Sequence, residues 1–236
     1  MCGRYTYRFT WRQIHEHLSG FGLALEAACV AMAGPAARYN VAPTTDVPVL
    51  VARDGEEAGK CIGPLSCAMM RWWLVPHWSQ EPSTKYPMFN ARSETAASKP
   101  AFRGPMKFRR CVLPASGFYE WKKIDSKTKQ PHYITRADGE VLYFAGLWDC
   151  WRDELESCTI LTTPANAEMS TVHDRMPCIL EPSDVGVWVD PAQRDSAAVQ
   201  GLLKPAGDGL LELRRVSKRV GNARVDGPEL IEPVQE

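Results

Sequence analysis

Cys2, Asn90, Arg92, Glu120 and His173 are the side chains of this 236-residue chain best suited to covalent chemistry on a small electrophile. Removal of Met1 would make Cys2 the N-terminus, and one residue would then carry an α-amine and a thiol on adjacent carbons. An α-amine has a reference pKa near ~7.7 against ~10.4 for a lysine, so far more of it is neutral and nucleophilic at neutral pH. A thiol, at about 8.5, is a strong nucleophile once partly ionised. The pair suits an aldehyde: the amine condenses to an iminium and the thiol closes a five-membered thiazolidine ring. A Met-Cys start also arises by chance, so the remaining residues have to decide.

Glu120 stands in an apolar strand between Tyr119 and Trp121. A carboxyl enclosed by aromatics exchanges protons near neutrality, whereas on an edge strand it would face water. His173 follows a strand, with Asp174 and Arg175 beside it, and reads as a general acid/base, a phosphate contact or a solvated loop histidine. Asn90 could orient a nucleophile and Arg92 could bind a phosphate, or both could make ordinary loop hydrogen bonds. Trp72, Trp73, Trp78 and Trp121 lie near these motifs, where base stacking and core packing are the two uses open to them.

Composition narrows the classes. Lys+Arg and Asp+Glu both number 28, so basic surface can come only from local clusters such as Lys99, Arg103, Lys107, Arg109 and Arg110, or residues 211–224. Such clusters line a backbone groove or form a solvated face. The eight cysteines (2, 29, 61, 67, 111, 150, 158, 178) contain no C-x-x-C pair, which argues against a zinc site or a secreted disulfide framework. Glu26 and Pro35 interrupt the apolar stretch 20–37, which is too short to cross a bilayer, so a cytoplasmic protein is expected.

The elements that must position these residues are mostly short strands. Residues 4–9 predict a strand. Thr10 and Gln13 have the form of a capping box opening a helix to about Leu18. Arg38–Thr44 reads as a polar turn before a strand at Val47–Val51, with a hairpin-like tip at Asp54-Gly55-Glu56-Glu57. Met69–Val75 predicts a strand, 79–100 an irregular segment carrying Phe89–Glu94 as a polar loop, and Cys111–Trp121 one strand. His132–Arg136 and Val141–Leu147 would pair as a hairpin across Asp138-Gly139. Cys158–Thr163 predicts a further strand, and short helices fit Asp184–Val189 and Asp195–Leu203. This pattern gives one α+β domain over 1–236, built on a mainly antiparallel sheet or distorted barrel.

The ordered motifs Cys2-Gly3-Arg4-Tyr5, Arg38-Tyr39-Asn40-Val41-Ala42-Pro43-Thr44, Arg71-Trp72, Leu74-Val75-Pro76, Asn90-Ala91-Arg92-Ser93-Glu94, Gly117-Phe118-Tyr119-Glu120-Trp121, Ala145-Gly146-Leu147-Trp148, Thr162-Thr163, Ala165-Asn166 and His173-Asp174-Arg175-Met176-Pro177 resemble the SRAP (SOS-response-associated peptidase) family, almost end to end. The resemblance implies a single compact SRAP-like α+β domain with a mainly antiparallel, barrel-like β core, flanking short helices and a positive groove for single-stranded DNA. It implies a mature chain starting at Cys2, whose thiazolidine forms with the ring-opened sugar of an abasic site during the DNA damage response.

By position, Asn90 matches the asparagine that holds the N-terminal residue, Glu120 the acid/base and His173 the histidine near the lesion phosphate. Arg4 and Arg92 match arginines along the DNA backbone, and Trp72, Trp121 and Arg175 complete the DNA-facing set. No cofactor, metal or membrane is implied; the partner is single-stranded DNA containing abasic sites, bound by a monomer that joins the nucleoid when the DNA is damaged. One departure is visible: Trp73 stands where the family usually has glycine. Two rival readings are a cysteine-type (auto)peptidase using Cys2, Glu120 and His173, and a non-catalytic single-stranded DNA-binding module.

Overall fold

The computed structural model describes residues 2–32, 34–52, 63–194 and 196–234. In chain order its elements are β1 (Tyr5–Tyr7), α1 (Trp11–Ser19), α2 (Ala27–Ala31), β2 (Arg38–Val41), β3 (Asp46–Val51), β4 (Ser66–Trp72), β5 (Asn90–Arg92), α3 (Ser93–Ala96), α4 (Pro100–Phe108), β6 (Arg110–Ala115), β7 (Gly117–Lys123), β8 (Lys129–Arg136), β9 (Leu142–Trp151), β10 (Leu155–Pro164), α5 (Ala167–Ser170), β11 (Arg175–Pro177), β12 (Ile179–Leu180), α6 (Val185–Val189), α7 (Ser196–Gln200) and β13 (Leu211–Arg215).

Strands β10, β4, β3, β6 and β9 pair in that order, and β9 returns to β10, so the five close into a barrel. All these pairings are antiparallel except β10 with β4, and β5 adds a second parallel neighbour to β10. A second sheet runs β13-β8-β7-β1-β2. Two-residue alternation divides the barrel's side chains. Cys111, Leu113, Leu142, Phe144, Cys158 and Ile160 join Tyr5, Phe118 and Ile134 of the second sheet in one core. Val112, Tyr143, Ala145, Leu147 and Leu161 face the opposite way, onto Trp11, Ile14 and Leu18 of α1, Met106 of α4 and Trp188 of α6. In the first core Tyr5 meets Trp72 and Phe144 edge-on at ring separations of 5.3 and 6.2 Å, and Phe118 meets Phe144 at 5.8 Å.

Helix α1 starts at the predicted box: Thr10 Oγ1 accepts from the Gln13 N–H at 3.2 Å, and Gln13 Oε1 accepts from the Thr10 N–H at 2.9 Å. The predicted helices near 184–189 and 195–203 form as the shorter α6 and α7. The Asp54–Glu57 tip lies outside the described residues.

Several expectations need correction. Arg38–Val41 is a strand, paired with β1, because its backbone completes the edge of the second sheet. Asn90–Arg92 is a strand lying along β10, and Ser93–Ala96 is helical, so the polar loop is in fact two ordered elements. Strand β4 starts and ends earlier than expected, and the 100–108 stretch forms a helix opened by Pro100, a residue that suits a first helical turn.

Cys111–Trp121 is not one strand. It breaks at Ser116, with β6 in the barrel and β7 in the other sheet. The crossing passes Gly117, where a Cβ would sit 2.5 Å from the Tyr133 ring and 2.7 Å from the Ile134 carbonyl oxygen. The expected hairpin at Asp138-Gly139 also fails. Gly139 does take the left-handed conformation (φ +78°), but β8 pairs with β7 and β13 while β9 pairs with β6, β10 and β12. The turn carries the chain from one sheet to the other.

Candidate functional site

The N-terminal segment reaches the core through β1, which pairs Tyr5 with Phe118 of β7, and through the Tyr119 N–H, which donates to the Arg4 carbonyl at 2.9 Å. This register sets Cys2 beside β7. On β7, Phe118 faces the large shared core while Tyr119 and Trp121 face the other way, against Tyr133, Val216 and Val220. The pleat therefore turns Glu120 to the Phe118 side, where Cys2 also lies. Of the two placements open to it, Glu120 takes the buried one rather than an edge facing water, but the aromatics flanking it in sequence line the opposite face.

Cys2 is fully buried. Asn90 Nδ2 donates to its carbonyl oxygen at 2.8 Å, and the Cys2 thiol donates to the Arg4 carbonyl at 3.9 Å. Burial, and after it the Glu120 carboxylate, push the thiol well above its ordinary pKa, so the group rests as a neutral thiol. Such a thiol needs a base before it attacks. Asn90 takes its position from the parallel pairing of β5 with β10, opposite Ile160.

His173 completes the constellation. Asn166 caps α5 by accepting from the Met169 N–H at 3.0 Å, and the chain then turns so that the His173 N–H donates to the Met169 carbonyl at 2.8 Å. His173 Nε2 lies 4.0 Å from Glu120 Oε2. The Arg175 N–H donates to Nδ1 at 3.0 Å, which in the neutral ring places the proton on Nε2, facing Glu120. Asp174 Oδ1 lies 2.9 Å from the same Nδ1 and would take over when the ring is charged. The His173 side chain is 25% exposed and Glu120 3%, so the histidine forms the open side of the site.

The remaining candidates divide. Arg92 is exposed. Arg4 is engaged by the tail: Nη1 donates to Asn40 Oδ1 at 2.6 Å and to the Val220 carbonyl at 2.8 Å, and Nη2 reaches the Gly221 carbonyl at 3.3 Å. Trp121 is half-buried on the tail cluster.

Trp72 is not placed for base stacking. Its ring is fully buried against Tyr5, and its Nε1 donates to the Phe89 carbonyl at 2.8 Å. Arg175 is not a surface cation either; it is 8% exposed, forms a two-pronged pair with Glu94 (Nη2–Oε2 2.9 Å) and donates to the Thr162 carbonyl at 2.6 Å. In the basic stretch, Arg110 is buried with its guanidinium on the Met106, Asp190 and Gln193 carbonyls, and Arg109 pairs with buried Asp149 at 2.7 Å. These two are structural, so the charge run is not one continuous groove.

Asn40, Glu94 and Thr162 carry site-supporting tasks that sequence reasoning missed. Each acts through a partner far along the chain, and no local spacing signals that. Among the described residues no group of three or more His, Cys, Asp or Glu could hold a metal, and no helix is long and apolar enough to cross a membrane.

Comparison with known proteins places this geometry in a family. The chain is 39% identical over 198 residues to the abasic site processing protein YoqW of Bacillus subtilis, covering 82% of this chain and 85% of that one. It is 32% identical over 241 residues to the abasic site processing protein YedK of Escherichia coli, covering 99% and 100%. A crystal structure of a protein from Bacteroides thetaiotaomicron superposes with a TM-score of 0.76 at 21% identity over 98% of this chain and 100% of that one, a likeness of fold. The family model described as SOS response associated peptidase (SRAP) matches residues 1–223. With a barrel of matching fold and that coverage, the chain belongs to the SRAP family.

Proposed function

We propose that this protein processes abasic sites in single-stranded DNA, forming a covalent thiazolidine crosslink through Cys2 once Met1 has been removed. The observation that carries the reading is the convergence on Cys2 of Asn90, which holds its carbonyl, and Glu120, whose charge bears on its thiol. Relatives named abasic site processing proteins support the same substrate.

An abasic sugar is mostly a closed hemiacetal, so the aldehyde must first be released. Glu120 in its acid form donates to the ring oxygen as the ring C–O bond breaks and the anomeric hydroxyl gives its proton to water, and the carboxylate then takes a proton from the attacking amine. Amine and aldehyde lose one water, with a proton returned by the Glu120 acid, to give an iminium. The thiol then adds to the iminium carbon: a C–S bond forms, the C=N π electrons move to nitrogen and the thiol proton leaves to water. Both nucleophiles sit on one residue, so this second attack is intramolecular, with an effective molarity that can reach on the order of 10⁵ M. Closing the ring removes the iminium, which would otherwise hydrolyse or undergo β-elimination and cut the strand. His173, on the open side and 4.0 Å from Glu120, would meet the lesion phosphate as the strand enters.

The test is a denaturing gel with intact mass, after mixing the protein with single-stranded DNA carrying one abasic site. Wild type, Cys2→Ala and intact-base DNA run side by side. An adduct weighing protein plus DNA less one water, dependent on Cys2 and the lesion, is the expected result. No adduct from protein confirmed to lack Met1 would sink the proposal, and steady turnover of a peptide in trans would favour a peptidase.

A further inference from the structure

The segment 76–88 and the start of α4 line an open cavity of about 690 Å³ that the crosslinking chemistry does not use. Its walls include Trp78, Lys85, Tyr86, Met88, Lys99 and Phe102. Trp78 is 58% and Tyr86 69% exposed, an unusual amount of aromatic surface to leave in water on one concavity. Lys85 and Lys99 supply positive charge, and among the described residues no carboxylate belongs to the wall. The Lys85 ammonium lies 5.9 Å from the Tyr86 ring centre.

The segment is braced from beneath. Trp73 Nε1 donates to Thr84 Oγ1 at 2.9 Å, Arg71 Nη1 to the Pro82 carbonyl at 3.1 Å, Trp151 Nε1 to the Ser79 carbonyl at 2.8 Å and Thr84 Oγ1 to the Tyr86 carbonyl at 2.8 Å. Trp73, the residue in place of the usual glycine, thus serves as a strut for this wall. Preformed walls spare the ordering cost of binding.

We infer that this cavity takes an unstacked nucleobase of the strand flanking the lesion, its ring against both Trp78 and Tyr86 and its phosphate toward Lys85 and Lys99. The inference rests on the proposed function and adds a second contact on the same strand. Exposed rings with nearby ammonium groups match the two faces of a single-stranded nucleotide, and stacking on them tolerates any base. The placement agrees: Met88 lines the cavity and Asn90, two residues on, holds Cys2. That stretch of backbone spans at most ~7 Å, so the Met88 wall and the residue that holds Cys2 are near neighbours.

The test uses oligonucleotides with one abasic site and one 2-aminopurine placed, in separate strands, at each of four positions on either side. Fluorescence is titrated at equilibrium, and the same samples are then run on a denaturing gel. Wild type should quench the probe at a flanking position, and Trp78→Ala and Tyr86→Ala should each abolish most of that quench and weaken binding about tenfold. Lys85→Ala and Lys99→Ala should each reduce the salt slope of binding by about 0.7. Quenching that is absent, or identical in every variant, while wild type still forms adducts, overturns the cavity assignment and leaves the crosslinking reading standing. Quenching that depends on Trp78 and Tyr86 without any adduct supports the cavity and sinks the crosslink.

Discussion

Asn90 Nδ2 donates to the Cys2 carbonyl oxygen at 2.8 Å, a bond that joins two residues 88 positions apart and seats the first described residue on β5. The other amide atom, Asn90 Oδ1, is buried with no hydrogen-bond partner among the described residues. A buried acceptor of that kind costs free energy unless something donates to it. A Cys2 α-amine freed by loss of Met1 is a donor of the right kind.

Asn90→Ala is expected to slow adduct formation roughly tenfold or more, in line with losing a hydrogen bond worth about 1 kcal/mol and the orientation it provides. Affinity for intact single-stranded DNA should stay near wild type. Single-turnover gels and equilibrium titration of one preparation separate the two quantities, and a parallel loss of affinity would make Asn90 a DNA contact instead.

Glu120→Gln carries two expectations of opposite sign. Crosslinking should fall about 100-fold or more, the usual scale for a lost general acid/base. Alkylation of the Cys2 thiol should accelerate, because the carboxylate is the second cause raising that thiol; without it more thiolate is present at a given pH, although burial still holds the group above its ordinary value. Peptide mass spectrometry after iodoacetamide reads the second effect. Slower alkylation would show that Glu120 acts as the thiol's base, not as a like charge against it.

The Glu94–Arg175 pair sets an acid-side dependence. Its hydrogen bond to Arg175 lowers the Glu94 carboxyl from its ordinary 4.5 to about 2 in the folded chain. A carboxylate depressed on folding stabilises above its unfolded pKa, and that stabilisation fades as pH falls toward the folded value. Wild type should therefore lose stability between about pH 4.5 and 2, and Glu94→Gln should flatten that limb. Because the Glu94 side chain is 45% exposed, solvent moderates the effect. Urea midpoints across the acid range decide it; unchanged limbs would put the acid sensitivity elsewhere.

Gly117→Ala should destabilise by about 1–3 kcal/mol, the usual cost of overpacking. The added methyl meets the Tyr133 ring at 2.5 Å and the Ile134 carbonyl at 2.7 Å, and a backbone neighbour cannot swing aside. Thermal unfolding should shift down by roughly 2–4 °C per kcal/mol. Adduct formation should suffer too, since this residue starts the strand that carries Glu120.

Local chemistry was readable in the sequence wherever its cause is local. The Thr10–Gln13 box and the strand expected at Val47–Val51 follow from neighbours within a few positions. The break at Ser116 was not readable, because the crossing runs past Tyr133 and Ile134 of another strand, where only a residue without a Cβ fits, and no local spacing signals that contact. The same limit applies to the site. The residue types Cys2, Asn90, Glu120 and His173 announce their chemistry, but their convergence depends on β1–β7 and β5–β10 pairings that no spacing encodes. Trp72 and Arg175 misled for a related reason: aromatic and cationic side chains suit DNA and interiors alike, and only burial decides.

The Arg4 clasp has a consequence in time. Its carbonyl partners at Val220 and Gly221 are made 216 and 217 positions later, a delay of roughly 10–40 s at ribosomal speeds of about 5–20 residues/s. For that interval the Arg4 guanidinium lacks two of its three partners. Enzymes that trim new chains therefore meet the N-terminal segment before the tail has locked it. Ribosome-stalled chains ending before Val220 should accordingly be trimmed faster than full-length protein released with Met1 in place, and equal rates would show that the clasp does not time the exposure.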